Sequence, residues 1–394
     1  MKYLLLSALA AGAVHAAPPP PPQAPGLLPT AIVRPLLEQD PEVAAARAGL
    51  DVARQDAALL DVSPYEWMAK VTAQRRTLDT GPRYKEWNAG LERTLRLPGK
   101  AGADRRIGQA MLEEGEARYG EALHETAREL LGLWLDWLNA EQGDELAKAH
   151  LQAAQENLGV VEKRVKAGDA AKLDASLARA ELAEQQRAGI DAKTASAVAW
   201  ARLHARFPGL TREFSTLPGA LPLNADAAFW RERILAQSDE LKIAEAQLQK
   251  AQADGARMRA DKLPDPTVGI YTASEVGGRE RLTGVMLSIP IPGSQRGGRA
   301  TKAVHAAEMS RQEVELKKRE LEAGIDVTIA TAQGAYEGWQ IAESGAAAMQ
   351  DNARLMQRAY ALGEADLQSL LTARRQATTA AQNALAAKVS SVRA

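Results

Sequence analysis

The side chains that could carry chemistry in this sequence are few and widely dispersed. The histidines, which could ligate a metal or transfer a proton, do not occur at spacings typical of metal ligands. The chain has no cysteine, which excludes a thiolate metal site, a catalytic cysteine and a disulfide framework. Its glycine pairs, at 277–278 and 297–298, are interpreted as strand turns rather than phosphate-binding loops. We therefore predict no enzyme activity, no cofactor and no metal, and expect four histidines on helix surfaces or at interfaces: His124, His150, His204 and His305.

Charge and the N-terminal segment indicate where the chain works. The 49 basic and 50 acidic residues nearly cancel, so the composition favours no nucleic-acid partner. Residues 1–16 are typical of a secretory signal peptide, with Lys2 before a short apolar run, and a proline-rich linker follows at 17–30. No later run of apolar residues is long enough for a transmembrane helix. We expect an exported chain that is either soluble beyond the inner membrane or a β-barrel in the outer membrane.

The chain contains an internal repeat of about half its length. A strand-like run, a Pro-Gly pair and a long helical pattern occur twice, and the two Pro-Gly pairs are 194 residues apart. Downstream, "VKAGDAAKLDASLAR" superposes on "YALGEADLQSLLTAR" with an offset of 195, so that Gly168 matches Gly363. The first repeat is predicted at 31–206, with an opening helix at 31–60, strands within 65–97, a long helix at 100–167 and a return helix at 170–206. The second is predicted at 225–394, with an opening helix at 225–262, strands within 265–291, a long helix at 298–362 and a return helix at 366–394. An irregular segment at 207–224 separates the two.

The predicted strands alternate between apolar and polar residues, which places the two classes on opposite faces of a sheet. Polar residues from Glu86 to Arg96 would share one face, with Arg93 as an exception on the other. Strands of about ten residues can cross a bilayer when tilted, although a soluble hairpin packed on helices is the alternative. We predict a lipid-facing surface formed by Trp67, Val71, Trp87, Leu91, Leu95, Val285, Leu287 and Ile289.

Four strands are too few to close a barrel, and an open sheet edge cannot lie in lipid. Single-chain barrels start at about eight strands, so several copies would have to share one. Two copies would give a barrel filled by side chains, whereas three would leave a pore. The polar face of the strands favours a water-filled interior.

The repeated Pro-Gly pairs are predicted to be joints between lipid-embedded strands and water-exposed helices: Pro98-Gly99 and Pro292-Gly293. Proline cannot continue the hydrogen-bond ladder, and glycine permits a change of chain direction. Basic residues after each joint suit anionic head groups at the membrane surface, although ordinary solvated helix starts would have the same composition. These residues are Lys100, Arg105, Arg106, Arg296 and Arg299.

The segments "LRLPGKAGADRR", "RVKAGDAAKLDASLARAEL", "LSIPIPGSQRGGRA" and "AYALGEADLQSLLTARRQ" resemble the TolC-like outer membrane factors, also called outer membrane efflux proteins. The resemblance covers almost the whole chain after the linker. It implies a mostly α-helical protein with a transmembrane β-barrel: a homotrimer with a twelve-stranded barrel in outer membrane lipid and an α-helical periplasmic barrel below it. The "LPGK" form is similar to the branch that exports heavy metals and other cations. Many members carry a lipidated N-terminal cysteine, which this chain lacks.

The resemblance also implies roles for the two helical hairpin tips. Docking of a periplasmic adaptor, which links the channel to an inner-membrane pump, is expected at Arg164, Val165, Gly168, Tyr360, Gly363, Leu367 and Leu371. At the second tip Ala359 stands where the first has Arg164, so a basic contact is not expected there. Polar closure of the entrance is expected to involve Asp169, Asp174, Arg358, Glu364 and Asp366. The alternatives are simple helix C-caps for the glycines and solvated surface charges for the gate candidates.

These observations predict a passive export channel in the outer membrane, with a large periplasmic portion. The competing interpretation is a soluble periplasmic coiled-coil adaptor or structural spacer. Solubility without detergent after cell lysis would distinguish the two.

Overall fold

The structure is a computed structural model that describes residues 26–77, 79, 81–223 and 226–394. The predicted signal peptide at 1–16 and the linker up to residue 25 lie outside these ranges. The first half of the described chain consists of α1 Thr30–Glu38, α2 Pro41–Asp61, β1 Trp67–Thr77, β2 Arg83–Thr94, α3 Pro98–Ala167 and α4 Lys172–Arg206. The second half consists of α5 Ala227–Gln237, α6 Asp239–Ala260, β3 Thr267–Glu275, β4 Glu280–Ser288, α7 Gln295–Leu362 and α8 Leu367–Arg393. The chain is therefore mostly helical with one four-stranded sheet, which confirms the predicted fold class at the level of a single chain.

Two helices predicted as continuous are each interrupted by a capping residue. The segment 31–60 breaks before α2, where the Asp40 carboxylate accepts the Glu42 N–H at 2.9 Å and Pro41 begins the new helix. The segment 225–262 breaks at Ser238, whose hydroxyl accepts the Leu241 N–H at 3.2 Å. Short polar side chains that bond to the backbone favour helix starts over helix interiors, and this local preference outweighs the helical composition around them. The pair 297–298, predicted at a strand turn, lies instead in the first turn of α7.

The strands form an antiparallel sheet in the order β1-β2-β3-β4. Its register aligns Ala69, Leu91, Ile270 and Val285 across the sheet, so that the predicted lipid-facing residues within the strands share one face. This face is uncovered, since Val71 is 77% and Val285 84% exposed. The alternative of a soluble hairpin that packs its apolar face on helices is therefore wrong.

Acidic side chains on the opposite face of the sheet are neutralised by neighbouring strands. Lys70 and Glu92 form a salt bridge at 2.5 Å, and Arg76 contacts Glu86 at 3.2 Å. Gln74 also donates to Glu86 at 2.9 Å. These cross-strand pairs stabilise the register, because a slip by one residue would move every charge to the apolar face.

The helices form a layer that continues the sheet. Helix α3 packs against α2 and α6 in its first half and against α4 in its second, while α7 packs against α6 and α8. An equatorial core fixes the irregular segment 207–223 to α3: Trp134, 1% exposed, donates its indole N–H to the Phe214 carbonyl at 3.0 Å. Further members of this core include Trp137, Leu138, Leu203, Phe207 and Leu210.

The layer ends in two open edges. Helix α3 buries residues from Lys100 to Val161, but of the residues of α7, all of which the structure describes, only Ala300, Ile325 and Tyr360 are buried. Several large apolar side chains of α7 are exposed at helical spacing: Met309, Leu316, Val327, Ile341 and Leu355. In the sheet, β1 and β4 each pair on one side only.

Candidate functional site

Both Pro-Gly pairs lie where a strand is followed by a long helix, but they differ in position relative to the helix start. Pro98 is the first residue of α3, whereas Pro292 and Gly293 precede α7, which begins at Gln295. Gly99 and Gly293 are absent from the described glycines with positive φ, so glycine does not turn the chain at either place. In the first repeat, the turn is made by Leu97 in an extended conformation followed by proline, whose fixed φ suits the first helical position.

Lys100 is not at the membrane surface as predicted but is buried beneath the sheet, 1% exposed. Its ammonium lies 3.1 Å from the carboxylate of Asp261, which follows the last residue of α6. It lies 3.0 Å from the carboxylate of Asp265, which precedes β3. Arg296 is also turned inward and donates to the Asp261 carbonyl. The other predicted basic residues are exposed: Arg105, Arg106 and Arg299.

Lys100 belongs to a polar network that joins the two repeats, which we call the junction network. Asp104 accepts from Arg96 at 3.0 Å and from Arg257 at 2.6 Å, and Arg257 also contacts Asp261. The junction network thus contains three cations and three carboxylates: Arg96, Lys100 and Arg257 with Asp104, Asp261 and Asp265. The network was not predicted from the sequence because its partners lie far apart in the chain, although the acidic "DKLPD" after a helical run was a signal.

Asp265 is the carboxylate of the junction network with the most donors. Burial alone would raise its pKa, but the Leu97 N–H at 3.0 Å, Lys100 and the Tyr65 hydroxyl at 2.9 Å outweigh burial and hold the pKa below its usual range. Burial also opposes ionisation of Asp261, and hydrogen bonds from Arg257 and Lys100 lower its pKa. Both side chains are therefore charged at neutral pH.

The two hairpin tips share one backbone geometry. Gly168 and Gly363 end α3 and α7 in the left-handed conformation, with φ of 85° and 78°. At the first tip the Asp169 N–H bonds to the Arg164 carbonyl at 2.9 Å, and at the second the Glu364 N–H bonds to the Ala359 carbonyl at 2.9 Å. This arrangement satisfies the last helical carbonyls, and glycine is favoured because any other residue would be strained there.

Two of the predicted gate acids cap helices. The Asp174 carboxylate accepts the Ala171 N–H at 3.2 Å, reaching back from the first turn of α4. Asp366 precedes α8 and accepts the Ser369 N–H at 2.7 Å. The Ser369 backbone and hydroxyl hydrogen bonds lower the pKa of Asp366. Each carboxylate thus satisfies an N–H at a helix start. Asp174 does so from within the first turn of α4, and Asp366 does so from the residue before α8.

The predicted docking residues largely hold the two tips together. Tyr360, 8% exposed, packs in a core with Leu367 and Leu371. The Arg164 guanidinium lies 4.9 Å from the centre of the Tyr360 ring and donates to the Tyr360 carbonyl at 3.3 Å. Arg164 of the first tip therefore bonds to the last turn of α7 at the second tip, where Ala359 has no side chain that could make this contact. The sequence could not show which side of each tip faces the other hairpin.

The remaining gate candidates are exposed: Asp169, Arg358 and Glu364. Among the residues that the structure describes, none of the five predicted gate residues takes part in an ion pair within the chain. At the tips, the exposed large apolar side chains are Leu173 and Leu362, 67% and 66% exposed, which sequence analysis did not single out.

A family model described as outer membrane efflux protein matches residues 32–206 and 230–394. This chain belongs to that family. The two matched segments correspond to the two halves of the internal repeat and together cover most of the sequence. The predicted resemblance is confirmed, and the chain is an outer membrane efflux protein rather than a soluble adaptor.

Solved structures of outer membrane channels share the fold of this efflux protein. CusC is 18% identical, with 92% of this chain and 89% of that chain covered at a TM-score of 0.75. The CmeC channel of Campylobacter jejuni is 14% identical, with 92% and 83% covered at a TM-score of 0.75. The open state of MtrE from Neisseria gonorrhoeae is 16% identical, with 92% and 86% covered at a TM-score of 0.68. A search of curated proteins found no match.

Among the described residues of this efflux protein, no helix is both long and apolar enough to cross a membrane. Its histidines occupy different environments. His204 stacks on Trp200 with ring centres 5.5 Å apart, and His150 contacts the Thr378 hydroxyl at 3.3 Å. His305 is exposed. His124 is exposed on α3, where it lies with Glu121 and Asp239.

Proposed function

We propose that three copies of this chain close a continuous channel across the outer membrane and periplasm, through which solutes pass from a periplasmic adaptor and inner-membrane pump to the exterior. The observation that carries the proposal is that the sheet and the helix layer are both open at two edges. A sheet edge with unpaired backbone groups is not stable in hydrocarbon. Pairing β4 of one copy with β1 of the next would remove both edges, and three copies would supply twelve strands.

The helix layer supports the same assembly. The exposed apolar side chains of α7 need a cover, and the neighbouring copy would supply α2 and α4, which pack mainly on α3 within their own chain. Such a contact joins two different surfaces, and contacts of this kind form a closed ring when the rotation between copies is suitable. The uncovered face with Val71 and Val285 would then contact lipid.

Adaptor docking is proposed at the tips, on the residues that remain accessible. Leu173 and Leu362 offer apolar contact, and Val165 and Gly168 lie beside them at the first tip. Tyr360, Leu367 and Leu371 would support docking indirectly, by holding the tips in place. The solute class, heavy metals or other cations, is proposed from the "LPGK" resemblance alone.

The channel proposal is tested by extracting the protein from outer membranes in detergent and measuring its mass and its conductance in a planar bilayer. We expect a particle with the mass of three chains and discrete single-channel steps. A monomer that stays in solution without detergent, or a preparation that gives no conductance, would overturn the proposal.

The Arg164→Ala variant is expected to raise the open probability of the channel. The substitution removes the contact to the Tyr360 ring and carbonyl, which we propose keeps the two tips of each chain together at the entrance. Single-channel recording measures the effect. Arg187→Ala is the matched control, because Arg187 is exposed and contacts Asp191 within its own helix.

A second variant distinguishes two ways of closing the entrance. If the exposed tip acids close it, the pair Asp169→Ala and Glu364→Ala should raise the conductance while Arg164→Ala leaves it unchanged. An unchanged conductance in the acid pair would remove Asp169 and Glu364 from that role. Equal behaviour of Arg164→Ala and Arg187→Ala would contradict a closing role for Arg164.

A further inference from the structure

Glu121, His124 and Asp239 bring three potential metal ligands together at the break between α5 and α6. His124 Nδ1 lies 3.2 Å from an Asp239 carboxylate oxygen, and one ligand atom from each residue lies within 4.8 Å of the others. We propose that these three side chains bind a divalent transition-metal ion of the Zn²⁺ type. The proposal depends on the chain's own side chains and is independent of the transported solute.

The fold positions the three groups from two elements. Glu121 and His124 are three residues apart on α3, so they project from the same face of the helix. Asp239 is the first residue of α6, where the Ser238 cap interrupts the predicted continuous helix and directs the start of α6 towards α3. The break that separates α5 from α6 therefore places a carboxylate beside the imidazole.

Gly120 permits this close approach. A Cβ atom at residue 120 would collide with the Asp239 carboxylate, since its distance from the carboxylate carbon would be 2.9 Å. Asp239 itself is 9% exposed and held against α3. Any side chain at residue 120 would displace the carboxylate from His124, so the glycine is a structural requirement of the cluster.

The acidic side chains near the cluster are only partly neutralised by basic residues. The three residues line a cavity of about 540 Å³ that also contains Glu240 and Glu320. Lys317 pairs with both of those acids, at 3.3 and 3.0 Å. Among the described residues, Glu121 has no ion-pair partner.

Two basic side chains beside the cluster compete for the site: Lys242, and Arg128, which lines the same cavity and contacts Glu125 at 3.2 Å. Lys242 contacts Asp239 at 2.8 Å, through the carboxylate oxygen that does not face His124. Its side chain is 50% exposed, so it can turn towards water when a metal arrives. The oxygen next to the imidazole remains available as a ligand.

The donor set defines the class of metal. One imidazole nitrogen and two carboxylate oxygens suit Zn²⁺ and neighbouring transition metals, whereas Ca²⁺ and Mg²⁺ prefer oxygen ligands alone. Three protein ligands leave a fourth position for water. A bound ion would connect α3 of the first repeat to α6 of the second and would raise the thermal midpoint of unfolding, since it binds the folded chain.

The test is a Zn²⁺ titration of the intact, detergent-solubilised protein by isothermal titration calorimetry, with Co²⁺ absorption as a report on ligand geometry. We expect one Zn²⁺ per chain and an affinity at least about tenfold weaker in His124→Ala and in Glu121→Gln, because even outer-shell changes cost about 10-fold at metal sites. Gly120→Ala removes no ligand and is expected to weaken binding as well, by displacing Asp239. His305→Ala is the matched control, since His305 is an exposed histidine outside the cluster.

Absence of Zn²⁺ binding by the unmodified protein would overturn the proposal. So would unchanged affinity in both His124→Ala and Glu121→Gln, or an equal loss in His305→Ala, because the ion would then be bound elsewhere. Helical circular dichroism in the presence of a chelator shows that each variant is folded. Conductance measured without Zn²⁺ reports on the channel proposal separately, so the two proposals can fail independently.

Discussion

Lys100→Met is expected to lower the free energy of unfolding by about 3–5 kcal/mol, because the substitution leaves the buried Asp265 carboxylate without its cation. The Lys100 ammonium is the shared partner of Asp261 and Asp265, and its side chain is almost completely buried. Methionine keeps much of the side-chain length, so the loss reflects charge rather than volume. Urea titration of the helical signal in detergent measures the effect.

Two further variants test whether the loss of stability comes from the charge pairing of Lys100. Arg105→Met is the matched control, since Arg105 is exposed on the same helix, and it is expected to change stability by less than about 0.5 kcal/mol. Adding Asp265→Asn to Lys100→Met should restore part of the loss, because it removes the charge left unpaired. Equal stability of Lys100→Met and Arg105→Met would show that the junction network contributes no more than a surface charge.

The pH dependence gives an independent check on the same network. The pKa values of Asp261 and Asp265 are lower in the folded chain than usual, so their contribution is fully present above the unfolded value of about 3.9. It is lost as pH falls through the folded values. The unmodified protein should therefore lose stability on acidification below about pH 4, and Lys100→Met should lose less.

Trp134→Ala is expected to cost about 3–5 kcal/mol and to loosen the equatorial segment. The indole is buried among large apolar side chains and holds the Phe214 carbonyl at 3.0 Å, so its removal leaves both a cavity and an unsatisfied acceptor. Urea titration gives the loss of stability, and amide hydrogen exchange across residues 207–223 shows whether the segment is released.

Trp134→Phe separates the two contributions. Phenylalanine fills most of the space but cannot donate to Phe214, and we expect a loss of about 1 kcal/mol for the missing hydrogen bond together with a modest packing change. Faster exchange in Trp134→Ala than in Trp134→Phe would follow from the cavity. If Trp134→Ala leaves both the unfolding curve and the exchange of this segment unchanged, the equatorial segment is not held by the indole.

Features of the chain that depend on neighbours in sequence could be predicted. Alternation of side chains around Trp67 and Val71 placed them on one face of a strand, because successive residues of a strand must point to opposite sides. Gly168 and Gly363 mark helix ends, since only glycine adopts their conformation without strain. The internal repeat and the family resemblance required only the order of residues along the chain, and the family match confirms the resemblance.

Contacts between distant segments could not be predicted in the same way. Lys100 and Asp265 are 165 residues apart, and His124 and Asp239 are 115 residues apart. Whether such pairs meet depends on how far each helix has turned when it passes its neighbour, and one residue rotates a helix face by about 100°. The breaks at Asp40 and Ser238 change that rotation, and a helical composition does not reveal them.

The sequence by itself determined the class of protein, the two-fold repeat, the polarity of each strand face and the positions of the tips. Only the tertiary structure decided that Lys100 is buried rather than at the membrane surface, that Arg164 and Tyr360 join the tips, and that His124 meets two carboxylates. The physical reason is that helix and strand formation are local, whereas burial and pairing of a side chain depend on which helices pack together and in what register.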